Sequence, residues 1–283
     1  MGNINADLVF VTPRTPGRGE ETLAEGFFVS QGGSAANFAV GVSRLGIKCR
    51  MLGCVGEDHF GTMALESLRE EDVDTGGIMV CPIGTGTVCV IVEGEHRTMI
   101  AWRGANSGLR EAVQRGLTGN HKLIHVSNVP KEVLLEVLGR RKGGLVSFDP
   151  GGAASEYTTD DLHGIDLLLL NESELDAILR GEQDRRSLLQ AVEVAVVKQG
   201  AGGATLLTRE LEIHCPAFRV NVMDTTGAGD AFDAAFLTAV LRGHDLREAL
   251  LWGCGGAALK IQKPGARAGL PRLKELIEFI GQT

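Results

Sequence analysis

The chain lacks any apolar run approaching the ~20 residues that a membrane-spanning helix needs. Its longest runs, Leu167-Leu168-Leu169-Leu170 and Val194-Ala195-Val196-Val197, have the length of strands. No signal peptide precedes the first motif. The six cysteines form no CxxC pair and keep no regular spacing. That disfavours a disulfide framework or a cysteine metal site and leaves scattered thiols of a reduced, cytoplasmic protein as the expectation. Basic residues are the minority: 28 Lys and Arg against 36 Asp and Glu leave a net charge of −8. Such a balance argues against nucleic acid as the main partner, though not against a small anion held in a local pocket. Repeats, low-complexity tracts and linkers are missing too. What remains is a chain of 283 residues, 43% hydrophobic and 23% charged. This is the composition of a globular protein with a large core, read here as one domain over 1–283 with a small appendage.

The chain is organised around Asp224-Thr225-Thr226-Gly227-Ala228-Gly229-Asp230. Residues 218–222 before it alternate apolar and polar and predict a short strand. The Ala-rich run after it, ending at Arg242-Gly243, predicts a helix with a C-terminal glycine cap. The Gly-Ala-Gly turn then lies at a helix N-terminus, whose free N–H groups and dipole suit an anion. Asp230 stands at its edge. An anion cradle beside a carboxylate suits proton abstraction from a hydroxyl during phosphoryl transfer; a capped helix start, with Asp and Gly serving a turn, reads the same residues equally well.

A second glycine pair, Gln31-Gly32-Gly33-Ser34-Ala35-Ala36-Asn37, opens another small-residue helix that ends at Gly46. Asn37 falls one turn in, as a neutral amide suited to hydroxyl recognition or as a buried polar strut. Near the start, Asp7 in Gly2-Asn3-Ile4-Asn5-Ala6-Asp7 serves an Asx turn or a binding role. Strands are predicted at 8–11, 26–30, 49–55, 87–93 and 97–102, with the last two joined by the hairpin signal Gly94-Glu95, and a helix at 60–70. Four of these strands, within 8–30 and 84–103, read as a small sheet off the main body, a lid that excludes water.

From residue 123 the pattern becomes βα. Strands are predicted at 123–126, 145–148, 165–170, 194–197 and 204–207, and helices at 131–139, 172–179, 185–192, 247–261 and 273–280. Strands apolar on both faces belong to a mostly parallel sheet covered by helices, a three-layer α/β/α fold. Ligands of such sheets lie beyond the strand carboxyl ends, where Asp149-Pro150-Gly151, Asn171-Glu172-Ser173-Glu174 and Lys198-Gln199-Gly200 all fall.

Taken together, Gly32-Gly33-Ser34-Ala35-Ala36-Asn37, Asn171-x-x-Glu174 and Asp224 to Asp230 resemble the signatures of the ribokinase (PfkB-type) family of carbohydrate and nucleoside kinases. The resemblance runs nearly end to end. It implies ATP-dependent phosphorylation of a primary hydroxyl, with Asp230 as base and Gly227, Ala228 and Gly229 as the anion hole. It places Asp7, Gly32, Gly33, Asn37 and Asn106 at the substrate. Asn171, Lys198, Gly200, Gly202, Gly265 and Ala266 fall at the nucleotide. Asn171 and Glu174 would help hold Mg²⁺ through water, although the same pair reads as a helix cap with its capping-box partner. Asp224 and the Thr226 carbonyl match the family's monovalent-cation site, which makes K⁺ a candidate third cofactor.

Three departures qualify the likeness. The apolar strand usual before Asp7 is absent, so either residues precede Met1 or the sheet lacks its first strand. Ser34 replaces a lysine common in ribokinases proper, which puts ribose in question. Ala235 replaces a customary glycine. The favoured substrate is therefore a free sugar or polyol. The rivals are a nucleoside, a sugar phosphate met by Arg14, Arg18, Arg97 and Arg103, and a non-catalytic ligand-binding regulator. A small sheet with one apolar face also predicts a homodimer through the lid.

Overall fold

The computed structural model describes residues 1–282 except Glu95 and Gln183; the Gly94-Glu95 hairpin signal therefore lies partly outside the described residues. The chain opens with β1 (Asn5–Val11), β2 (Gly26–Gly32), α1 (Ser34–Arg44), β3 (Arg50–Gly56), α2 (His59–Glu70), β4 (Asp74–Cys81), β5 (Gly86–Glu93), β6 (His96–Trp102) and α3 (Leu109–Gly116). It continues with β7 (Leu123–Ser127), α4 (Lys131–Arg140), β8 (Leu145–Asp149), β9 (Leu167–Asn171), α5 (Glu172–Leu179), β10 (Val194–Lys198), β11 (Ala204–Leu207) and β12 (Glu212–Cys215). Three helices close it: α6 (Ala228–Arg242), α7 (Leu246–Lys260) and α8 (Leu273–Ile280).

Strands β7 to β10 pair in parallel, and β11 and β12 extend that sheet antiparallel, in the order β12-β11-β10-β9-β8-β7. The Leu run in β9 shows why the sheet needs two helical layers. Leu167 and Leu169 pack with Phe38, Phe236 and Trp252 of α1, α6 and α7. Leu168 and Leu170 pack on the other side with Val133 and Val137 of α4 and Ile178 of α5. Successive strand residues face opposite ways, so a continuous apolar run specifies a sheet covered on both sides. The four strands expected within 8–30 and 84–103 form a separate small sheet ordered β2-β1-β5-β6, the candidate lid.

Three local expectations fail. Residues 218–222 form no strand: Pro216 follows β12 and brings no N–H to a ladder, and Phe218 packs tilted against Phe279 with ring centroids 5.0 Å apart. Residues 185–192 give a short 3-10 turn, Arg185–Gln190, capped by Asp184, rather than an α-helix. β4 was not foreseen because its opening Asp-Thr-Gly-Gly has the composition of a turn, yet it pairs in parallel with β3.

Met1 and Gly2 stand where a first strand would join the two sheets. Between β3 and β7 the chain offers only Met1 and Gly2: Gly2 N–H donates to the Leu52 carbonyl at 3.2 Å, and Ser127 N–H donates to the Met1 carbonyl at 3.0 Å. A cavity of about 580 Å³ continues beyond them, lined by Phe38, Val42, Leu52, Leu117 and Ile124. The β3-β4 pair is thus joined to the main sheet by a single parallel bridge, Gly2 to Ser127.

The departure at Ala235 has a structural answer across the helix pair. Ala235 is fully buried, and a Cβ placed on the facing Gly256 of α7 would come 2.7 Å from its methyl and 2.9 Å from the Ala231 carbonyl. The Ala235 methyl therefore occupies the space that the absent side chain of Gly256 leaves open. Gly256→Ala should therefore cost about 1–3 kcal/mol through overpacking. Adding Ala235→Gly should recover part of that loss despite its own ~1 kcal/mol helix penalty. Denaturant midpoints of the four proteins in this cycle check it; strict additivity would show that the two positions do not share the space.

Candidate active site

Two helix starts meet beyond the carboxyl ends of the sheet. At the first, Gly33 takes φ 92° and leads into α1. A side chain at Gly32 would lie 2.3 Å from the Asp7 carboxylate, so the glycine pair lets the chain turn directly over Asp7. At the second, Gly227 takes φ 76° and no side chain caps α6. The turn is served by Asp224, whose Oδ1 accepts from the Thr226 N–H at 2.8 Å. Asp230 does not cap the helix, and an uncapped first turn carries N–H groups of the kind that suit an anion.

The helices touch through Asn37, whose Nδ2 donates to Asp230 Oδ2 at 2.8 Å. Its Oδ1 in turn accepts from Arg267 Nε at 2.9 Å, and Arg267 also donates to Ser67 Oγ and the Gly32 carbonyl. Arg267 thus lies beneath the cleft between Asp7 and Asp230, and sequence reasoning missed it. The available signal was an arginine among small residues, Ala266-Arg267-Ala268-Gly269, directly after a turn already singled out. Burial pushes the Asp230 carboxyl up to about 6 against the Asn37 hydrogen bond, with the Asp149 charge adding to the rise. Asp7 is likewise pushed up to about 6 by burial, with Arg267 opposing.

A second charged group backs the anion turn. Lys198 Nζ donates to Asp149 Oδ2 at 2.7 Å and to Asp233 Oδ1 at 3.1 Å. A Cβ on Gly229 would lie 3.5 Å from the same ammonium. The Lys198 ammonium therefore lies beside the turn at Gly229, while Gly200–Gly202, two residues on, form a short turn of their own. Burial works against the Lys198 charge, but Asp149 and Asp233 outweigh it and raise its pKa. Asp149 keeps its charge through Lys198, whereas burial drives Asp233 well above the usual carboxylate range. Neither aspartate was anticipated as a partner of Lys198.

Asn171 and Glu174 form a reciprocal cap of α5: Glu174 N–H donates to Asn171 Oδ1 at 2.9 Å, and Asn171 N–H donates to Glu174 Oε2 at 2.8 Å. Burial and the Asp149 charge raise the Glu174 carboxyl. Asn106, expected at the substrate, instead spends its amide on the entry to β1. It accepts from Ile4 N–H at 3.0 Å and donates to the Ile4 carbonyl and Asn5 Oδ1. Gly265 N–H donates to Asp224 Oδ2 at 2.7 Å, which ties the Gly265-Ala266 turn to the anion loop. From the lid, Arg97 reaches Asp224 Oδ1 at 2.8 Å. Arg14 and Arg103 are paired with Glu20 and Glu156, so three of the four arginines offered for a sugar phosphate already have carboxylate partners.

An open α/β/α sheet with a small β lid, an uncapped helix N-terminus and a carboxylate held at its mouth define the ribokinase-like class of kinases. The structure of ribokinase from Thermotoga maritima aligns over 99% of this chain and 97% of its own, with 29% identity and a TM-score of 0.91. A putative ribokinase II from E. coli, solved in complex with ATP and Mg²⁺, aligns at TM-score 0.86 and 25% identity over 100% of this chain and 98% of its own. Ribokinase from Haemophilus influenzae is 29% identical over 299 residues, covering 99% of this chain and 97% of that protein. The family model for pfkB family carbohydrate kinases matches residues 1–273. The chain belongs to the pfkB family of carbohydrate kinases, whose reaction is ATP-dependent phosphoryl transfer.

The raised carboxyls set a pH dependence. If Asp230 is the proton acceptor, it must be ionised, and kcat/KM should fall as pH drops through about 6, more steeply than for one proton if Asp7 must also be charged. A flat profile from pH 7.5 to 5 would contradict the geometry. Stability runs the other way for these two groups. Their folded pKa lies above the model value of 3.8, so the stability they add is full below about pH 4 and lost as pH rises through about 6.

Proposed function

We propose that this kinase transfers the γ-phosphoryl group of ATP to a primary hydroxyl of a free sugar or related polyol, with Asp230 as the base. The observation that carries this reading is the Asn37–Asp230 contact at the open start of α6. It puts a hydroxyl-recognising amide, a carboxylate and an anion cradle within one side chain of each other. Asp7 and the Gly32-Gly33 turn form the far wall and orient the sugar hydroxyls. Asp230 Oδ takes the hydroxyl proton as the oxygen attacks in line, and the N–H groups at Gly227, Ala228 and Gly229 accept the charge that spreads over the phosphoryl oxygens. Lys198, beside the turn, adds fixed positive potential there.

ATP occupies the edge formed by Asn171, Gly200, Gly202, Gly265 and Ala266. Mg²⁺ fits this edge through water. Among the described residues no three His, Cys, Asp or Glu side chains gather closely enough to hold a metal directly, and Glu174 already accepts twice from Asn171. Magnesium keeps several waters and takes phosphate oxygens as ligands, so it enters with the nucleotide, near a Glu174 carboxylate that gains from a cation. Bound there, it offsets charge on the β- and γ-phosphates.

Asp230→Asn should lower kcat by about 10²–10⁴-fold, the usual worth of a positioned base, while ATP binding measured by calorimetry stays intact. Wild-type turnover in that variant would remove Asp230 from the mechanism. A panel of ribose, fructose, 2-keto-3-deoxygluconate, adenosine, cytidine and inosine assigns the acceptor; ADP formation only with nucleosides would replace the sugar reading, and none with any acceptor would favour a binding regulator.

The chain forms a homodimer through the lid in this reading. Phe27, Ile100 and Trp102 share one face of its strands and are each more than half exposed, an apolar patch of the kind that marks an interface. Sedimentation at micromolar concentration should give a dimer that Ile100→Glu converts to a monomer. A monomeric wild type would exclude the arrangement.

A further inference from the structure

The loop expected to bind a monovalent cation already contains one. Lys260, at the end of α7, is fully buried. Its ammonium donates to the Asp224 carbonyl at 2.7 Å and to the Lys263 carbonyl at 3.4 Å. Those carbonyls belong to the two loops that meet under the anion hole: one leads into Gly227-Ala228-Gly229, the other into Gly265-Ala266. The same loops are laced together by Met223 and Asp224 N–H donating to the Ile261 carbonyl at 2.8 and 3.1 Å.

The Asp224 carboxylate is already engaged on both oxygens: Oδ1 accepts from Thr226 N–H at 2.8 Å and forms an ion pair with Arg97 Nη2 at 2.8 Å, and Oδ2 accepts from Gly265 N–H at 2.7 Å. Burial alone would raise this carboxyl, yet those N–H donors and the Lys260 charge hold it down near 2. K⁺ does not fit this site as built. A bare cation would have to displace the ammonium from the Asp224 carbonyl and sit beside both Arg97 and Lys260.

We propose that the Lys260 ammonium takes the place of a monovalent cation, so that the anion hole of this kinase is held in shape without K⁺. An ammonium and K⁺ are similar in size, and both satisfy carbonyl oxygens. The tethered form is present in every molecule and costs no binding equilibrium. Lys260 is a positioning residue: it touches no phosphate and acts through the loops on either side of it.

The test compares K⁺ with tetramethylammonium chloride at equal ionic strength. Wild-type kcat/KM and melting temperature should be unchanged between the two salts. Lys260→Ala, which opens a polar space of about the right size, should lose about tenfold to a hundredfold in tetramethylammonium. This is less than the ~10²–10³ of a donor in the hole itself. K⁺ or NH₄⁺ should restore most of that loss and raise the variant's melting temperature. Lys260→Met, which fills the space without charge, should be impaired in every salt. A wild-type rate or melting temperature that rises with K⁺ would overturn the proposal, as would a folded Lys260→Ala protein that is fully active or that no small cation rescues. Should neither variant fold, the wild-type response to K⁺ still decides. The proposal rests on the kinase reading only for its rates; the melting temperatures need no turnover, so a failed kinase assignment and a failed cation assignment give different results.

Discussion

The site depends on how closely α1 and α6 approach. A Cβ on Gly41 of α1 would come 2.7 Å from the methyl of Ala234 on α6, so the helices meet across a glycine and an alanine with nothing larger between them. Only at that separation can an asparagine amide on one helix reach a carboxylate on the other. A larger residue at Gly41 would push α6 outward and carry Asp230 away from Asn37, and with it the mouth of the anion hole. The small-residue composition of both helices is therefore a requirement of the chemistry as well as of the core. The same economy repeats between α6 and α7, where Gly256 leaves room for the Ala235 methyl.

Charge in the cleft is arranged in layers. The groups at the reacting centre, Asp7 and Asp230, are held at pKa values near neutrality by burial. The groups one layer back are fixed. Asp224 is held near 2, and Lys198 is locked between Asp149 and Asp233. A base must change protonation during the reaction, whereas the scaffold that aims it must not. Acid should accordingly silence the enzyme well before it loosens the anion loop: the stability that Asp224 adds is present above about pH 4 and lost only as pH falls through 2.

The three-layer fold was legible because its signals are local and periodic. The apolar runs of β9 and β10 specify a doubly covered sheet, and glycines at helix starts mark the places where backbone must turn sharply. Residues 218–222 misled for the converse reason: alternation identifies a segment able to be a strand, but pairing needs a partner, and after Pro216 none is in reach. The candidate site was legible in its backbone geometry, at the helix-opening turns of Gly32-Gly33 and Gly227 to Gly229. It was not legible where function resides in a contact between distant segments. Arg267 meets Asn37 across 230 positions and Lys198 meets Asp149 across 49. No spacing rule encodes such pairs. Asn106 shows the limit from the other side, since its position near the lid was right but its amide is committed to the entry of β1.

The lid strand β6 does more than cover the cleft, because its Arg97 is one of the neighbours that neutralise Asp224. That ion pair ties the charge balance of the Asp224 loop to the position of the small sheet: wherever β6 goes, the guanidinium goes with it.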